Sequence, residues 1–420
     1  MTRSTRTTHP TTETPADALD EPLALLGGLS PRQFMRRHWQ RRPLLIRQAI
    51  PGFRPLLSRA ELFALAARED VESRVVEQHP NAADPAQTWR LRHGPFDVRA
   101  RRGERALPPL RQPGWTLLVQ GVDLHHDAVH ALMQRFRFVP DVRLDDVMIS
   151  WASDGGGVGP HYDSYDVFLL QASGRRRWRI GHQRDLRLRP DLPCKILQHF
   201  EPEQEWVLEP GDMLYLPPRW AHDGVAEGGD CMTVSVGFRV PQRGGLAAEL
   251  AQRLAEEHED DVLYRDAGQP ATAEPGRIPA ALQAFAREGL QRLLADERAL
   301  ACALGEVLTE PKPHVWFEPG DHPWHPGAVV LDRRTRMAYD DHHIFINGEA
   351  LLARGRDAQL MRRLANVRRL SAREVSSASP RALAVLAQWA ELGWLHTDAS
   401  PTGPITEFVP NVTFGYKGKP

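Results

Sequence analysis

Residues 153–174 read SDGGGVGPHYDSYDVFLLQASG. A glycine-rich loop runs into His161-Tyr162-Asp163 and on into an apolar stretch with the character of a strand. Residues two apart on a strand point to the same face. His161 and Asp163 therefore project together, and Tyr165, Val167 and Leu169 continue that face into an interior. One imidazole and one carboxylate make two-thirds of a 2-His-1-carboxylate set, which leaves positions open on iron(II) for further ligands. The third ligand is expected from a later strand. In EPGDMLYLPPRWAHDG, residues 209–224, Gly211-Asp212 makes a turn and Met213 to Leu216 a strand. Pro217-Pro218 then turns the chain so that His222 reaches back.

The same H-x-D spacing recurs at His125-His126-Asp127. That copy falls in VDLHHDAVHALMQRF, which reads as the start of a helix. There positions i and i+2 diverge, and Asp127 is a cap or first-turn acid.

Outward from the motif, TLLVQGVDL, DVMISWA, YDVFLLQA, RRWRIG, DMLYLPP and MTVSVGF follow one another as short strands without long helices between them. That pattern predicts a barrel or sandwich. A helix opens the region at LSPRQFMRRHWQRRP, with Ser30 as N-cap and Pro31 in the first turn. In GRRRWRIG, alternation puts Arg176 on the face of Trp178 and Ile180, and Arg175, Arg177 and Arg179 on the other. Arg176 is thus the inward arginine, suited to fork a carboxylate. The other three read as a solvated basic face.

The chain has 420 residues, enough for two or three domains. Residues 1–20 are rich in Thr, Pro and Ala, lack the apolar core of a secretory signal and read as a disordered tail. Residues 21–242 hold the strands. Residues 243–311 turn helical, with Leu246, Leu250 and Leu254, then Leu282, Phe285, Leu290, Leu293 and Leu294, marking one face. That stripe exceeds what one barrel flank covers and predicts a homodimer. Residues 312–420 mix types around an Asn347-Gly348 turn and read as a winged-helix-like domain. Fifty-three basic residues balance 54 acidic ones, so net charge points to neither nucleic acid nor membrane. No apolar run is long enough to span a bilayer. The arginines of MRRLANVRRL read as a solvated helix face rather than a nucleic-acid surface. The three cysteines, Cys194, Cys231 and Cys302, form no metal or disulfide pattern, which fits a cytoplasmic protein.

The run DVMISWASDGGGVGPHYDSYDVFLLQASGRRRWRIG, with EPGDMLYLPPRWAHDG and VSVGFR, resembles the bacterial ribosomal oxygenases. These JmjC/cupin proteins hydroxylate an arginine of large-subunit ribosomal protein sixteen. The resemblance implies a mixed α+β chain: a double-stranded β-helix, a helical dimerisation region and a C-terminal winged-helix-like domain. It implies that His161, Asp163 and His222 bind Fe(II), and that Arg176 and Ser150 hold 2-oxoglutarate. With O2 as the other co-substrate, 2-oxoglutarate would be decarboxylated to succinate as a C–H bond is hydroxylated. A target arginine needs an anion to receive it, and Asp154 at the edge of the glycine loop, aided by Ser235, is the expected partner. The Thr-rich N-terminus and the middle of the last domain depart from the family pattern. Two other readings share the barrel. One is the same chemistry on histidine or methyl-lysine; the other is a non-catalytic cupin that senses a small carboxylate.

Overall fold

The computed structural model of the protein describes residues 17–100, 102–257, 260–319, 324–352 and 354–397. Most of the expected tail, residues 1–16, lies outside the described residues. Its last residues are ordered: Asp17–Leu19 form a 3-10 turn, and Asp20 pairs with Arg32 at 3.1 Å. The chain divides into two compact units, one ending at Val240 and the next beginning at Pro241.

In the first unit, α1 (Pro31–Arg37) begins where its sequence signal lies. Ser30 accepts from the Gln33 N–H, and the Gln33 side chain accepts in turn from the Ser30 N–H. Ser58 and Glu61 cap α2 (Arg59–Ala66) in the same way. The second H-x-D does open a helix, α3 (Asp127–Gln134), with Asp127 in its first turn.

Ten strands form one sheet: β1 (Leu44–Ile46), β2 (Ser73–Gln78), β3 (Trp89–His93), β4 (Trp115–Val119), β5 (Leu144–Ala152), β6 (His161–Tyr162), β7 (Val167–Gly181), β8 (Gln204–Leu208), β9 (Met213–Leu216) and β10 (Ala221–Phe238). Their order is β1-β9-β7-β10-β5-β4-β2-β3, with β6 added to β10 and β8 to β7. YDVFLLQA and RRWRIG, expected as two strands, are one long strand bent at Gly174. This residue has φ +62°, and a Cβ there would lie 2.9 Å from the Cys231 Cα. Bends of this kind let the first half of β7 pair with β9 and its second half with β8, which coils the sheet.

The two sheet faces differ. Val147, Ile149, Trp151, Phe168, Val234 and Val236 pack with Phe34, Leu62, Val129 and Leu132 of the helices in one large core. On the opposite face, Val167, Leu169, Trp178 and Ile180 pack with Leu208, Leu214 and Leu216. The functional residues occupy that second face.

In the second unit, α4 (Arg243–Glu257), α5 (Ala280–Leu293) and α6 (Glu297–Thr309) precede a strand–helix assembly. It comprises β11 (Val329–Leu331), β12 (Met337–Tyr339), β13 (His343–Ile346), β14 (Glu349–Leu352), α7 (Gly355–Val367), β15 (Arg369–Leu370), α8 (Ala372–Ser376), α9 (Pro380–Glu391) and β16 (Leu395–Thr397). Asn347 and Gly348 both have positive φ and close the β13–β14 hairpin, as the Asn-Gly signal predicts. The Gly348 N–H donates to Thr309 Oγ1 at 3.2 Å, and Gly305 packs directly on the Phe345 ring. The last helix of the helical stretch is therefore joined to the wing. No helix among the described residues is long and apolar enough to cross a membrane.

Candidate metal centre

β6 and β10 pair antiparallel in a register that sets His222 directly opposite His161. Asp163 follows β6 at once, and residues 163–166 bend before β7 begins. The unbroken strand expected from His161 to Leu169 is therefore interrupted. Buried Asp166 holds the bend, accepting from Tyr215 Oη at 2.6 Å and Gln40 Nε2 at 3.0 Å. The Arg219 N–H donates to the Asp163 carbonyl at 2.7 Å, tying the Pro217-Pro218 turn to the segment that carries His161 and Asp163. Gly159 allows the loop before His161 to pass tightly: it has φ +79°, and a Cβ there would lie 2.4 Å from Ile196 Cδ1.

Ligand atoms of His161, Asp163 and His222 all lie within 4.8 Å of one another, the only such group among the described residues. His222 Nε2 is 3.6 Å from Asp163 Oδ2. Nδ1 of His161 lies 2.8 Å from the Gly159 carbonyl, and Nδ1 of His222 lies 2.9 Å from the Trp220 carbonyl. A carbonyl only accepts, so each Nδ1 carries the proton and each Nε2 offers a lone pair to a common point. Burial, and then the neighbouring His161, push His222 down to about 4 against the pull of Asp163. Its ring is therefore neutral near pH 7, the state a metal requires. A divalent ion with open positions fits this donor set.

Arg176 lies on the same face, opposite Ala226 of β10. It is 4 % exposed, and its Nη1 donates to the Gly224 carbonyl at 3.2 Å. Nε and Nη2 are buried with no partner, and no carboxylate among the described residues pairs with the group. A lone buried cation is costly unless an anion completes it, and a planar guanidinium with two open donors is suited to a carboxylate. The other arginines of the strand behave as alternation predicts. Arg177 pairs with Glu205 and Glu227, Arg179 with Asp223 at 2.5 Å, and Arg175 with Glu227 at 3.6 Å.

A JmjC domain model matches residues 131–246, and a ROXA-like winged-helix model matches residues 292–396. The chain is 34% identical over 299 residues to the ribosomal protein uL16 3-hydroxylase of Escherichia coli, covering 70% of this chain and 76% of that one. The chain belongs to the JmjC ribosomal oxygenases. A probable ribosomal oxygenase of Haemophilus influenzae is 34% identical over 238 residues, 56% of this chain and 55% of that one. An X-ray structure of E. coli YcfD is similar with a TM-score of 0.75 and 31% identity, covering 87% of this chain and 97% of that one. A structure of YcfD with cobalt and 2-oxoglutarate gives a TM-score of 0.72 at 31% identity, with the same two coverages.

The remaining expected site residues of this ribosomal oxygenase fall in different places. Ser150 is buried on the site face of β5, opposite Thr233 on one side and Leu118 on the other. Ala152, two residues on, is the β5 residue that packs with Ala226 beside Arg176. Ser235 is buried on the same face, opposite Met148 and Leu169. Asp154 is exposed, and its Oδ1 accepts from the Gly228 N–H at 2.8 Å. Through that oxygen it braces one loop against another.

The acid on the site face is Asp146, which sequence reasoning missed. It is buried and accepts from Gln120 Nε2 at 2.6 Å and the Gly121 N–H at 3.1 Å. It flanks Gly237 together with the Tyr165 ring. Burial, then the charges of Asp163 and Asp146, push the Tyr165 phenol up, so it stays protonated. The signal was present: Asp146, Met148 and Ser150 stand at period two on one face of the strand.

Proposed function

We propose that this ribosomal oxygenase is an Fe(II)- and 2-oxoglutarate-dependent hydroxylase of an arginine side chain of large-subunit ribosomal protein uL16. The observation that carries the reading is the buried, unpartnered guanidinium of Arg176 on the face that carries two imidazoles and a carboxylate. A metal and a dicarboxylate complete these two features together. Kinship with a uL16 3-hydroxylase supplies the substrate.

His161, Asp163 and His222 hold the metal, and the Gly159 and Trp220 carbonyls fix the tautomers. Arg176 anchors the distal carboxylate of 2-oxoglutarate, and the Ser150 hydroxyl is a second contact. Bound iron, with O2 and 2-oxoglutarate, supplies the oxidation of an unactivated C–H bond, giving succinate and carbon dioxide. Asp146 receives the substrate guanidinium, between the Tyr165 ring and Met148 with Ser235 beside it, and so aims the target carbon. Trp178, Ile180 and Leu169 keep the site dry.

The test is anaerobic loading with Fe(II), then air, 2-oxoglutarate and uL16, with mass spectrometry for one added oxygen on arginine. Succinate without modified uL16 would leave the oxygenase and remove this substrate, returning histidine or methyl-lysine. If neither product forms, a carboxylate-sensing cupin becomes the account.

The protein acts in the cytoplasm as a homodimer without direct nucleic-acid binding. Leu290 of α5 and Leu294 at its C-cap are 60% and 53% exposed in a single chain, which favours a partner copy. Three arginines, two on α7 and one at its C-cap, have internal work. Arg362 bonds the Asp340 and Asp341 carbonyls, Arg363 pairs with Glu374, and Arg368 bonds the Asp332 and Thr335 carbonyls. Sedimentation at micromolar concentration is expected to give a dimer that Leu290→Asp with Leu294→Asp converts to monomer. A monomeric parent protein would contradict it.

A further inference from the structure

One guanidinium on the site face has no role in the chemistry above. Arg74 of β2 lies opposite Leu118 of β4, which in turn lies opposite Ser150 of β5. The three side chains form a row on the site face, with Arg74 about 10 Å across the sheet from Ser150 at ordinary strand spacing. Its side chain turns inward along this row: Nη2 lies 3.9 Å from Met148 Sδ, two residues from Asp146.

Arg74 is half-buried, and no carboxylate among the described residues pairs with it. A thioether is a weak acceptor and leaves most of its five N–H donors open. Other cations on these strands are matched. Arg92 of β3 pairs with Glu77 at 3.0 Å and bonds the Glu104 and Ala106 carbonyls. Arg74 also opposes the rise that burial gives the Cys194 thiol. The guanidinium is therefore within electrostatic reach of that thiol, and the partly exposed Tyr165 ring flanks Asp146 on the same sheet face.

We infer that Arg74 is a substrate-positioning residue that holds a carbonyl or carboxylate oxygen of the ribosomal-protein segment flanking the target side chain. The inference rests on the proposed function. Asp146 takes the cationic end of the target residue, and Arg74, further across the sheet, takes an oxygen of the chain that carries it. Two contacts of opposite charge fix both position and direction of the segment.

The experiment is steady-state hydroxylation of uL16 by the iron-loaded full chain, comparing the parent protein with Arg74→Ala and Arg74→Lys. Arg74→Ala is expected to raise KM for uL16 about tenfold, the order of one charge-assisted hydrogen bond, with kcat at saturation within about twofold. Arg74→Lys recovers part of the loss because it keeps the charge and loses the fork. A KM difference that shrinks with salt assigns a carboxylate; one that does not assigns a carbonyl. Unchanged KM for uL16 in Arg74→Ala overturns the inference alone. So does an equal rise in KM for 2-oxoglutarate, which marks a structural role. If the parent protein neither binds nor modifies uL16, the proposed function falls and takes this inference with it.

Discussion

Asp163→Ala is expected to lose Fe(II) and with it all coupled turnover, a fall of more than about 100-fold in both metal affinity and activity. Loss of an outer partner of a ligand already costs 10- to 100-fold, and here the only anionic ligand goes. An imidazole ligates only through a neutral nitrogen, so with the carboxylate gone no ligand balances the charge of the ion. The fold should survive. Asp163 links to the Pro217-Pro218 turn through its backbone carbonyl, which alanine retains, and its side chain is part-exposed. Thermal unfolding of the metal-free variant is accordingly expected to match the parent protein, while calorimetric titration with Fe(II) under anaerobic conditions shows no binding. Parent-like affinity would remove Asp163 from the ligand set.

Arg176→Met is expected to raise KM for 2-oxoglutarate by about 100-fold or more, since breaking one side of a buried charge pair costs about 3–5 kcal/mol. The metal-free protein should respond in the opposite direction. With no co-substrate, Nε and Nη2 of Arg176 are buried without partners, at about 1–3 kcal/mol for each unsatisfied group. A methionine beside Trp178 removes that penalty, so the unliganded variant is expected to melt higher than the parent. Adding 2-oxoglutarate with a metal should then raise the melting temperature of the parent and not of the variant. Thermal scans with and without 2-oxoglutarate read both effects. A variant that melts lower in both conditions would make Arg176 a structural residue.

The cluster of His161, Asp163 and His222 was legible because its geometry is local. His161 and Asp163 need only the period of a strand, and His222 needs only a turn that brings the next strand back. Arg176 was legible for the same reason, since alternation alone separates it from three ion-paired neighbours. The interruption after Asp163 was not. It depends on Asp166 finding Tyr215 and Gln40, residues 49 and 126 positions away. The loop contact of Asp154 was not legible, because an acid beside a glycine loop looks the same whether it faces a ligand or braces a turn. The Gly228 N–H that decides the matter is 74 residues on. Asp146 was passed over because its partners, Gln120 and the Gly121 N–H, become neighbours only when β4 and β5 pair. The attachment of α6 to the wing rests on Gly305 accepting the Phe345 ring, a contact no periodicity announces.

The most direct test of the central claim is anaerobic absorption spectroscopy of the full chain titrated with Fe(II) and 2-oxoglutarate. A charge-transfer band is expected that needs both components, is absent in Asp163→Ala, and in Arg176→Met forms only at about 100-fold higher 2-oxoglutarate. No band in the parent protein, or a band undiminished in Asp163→Ala, would contradict it.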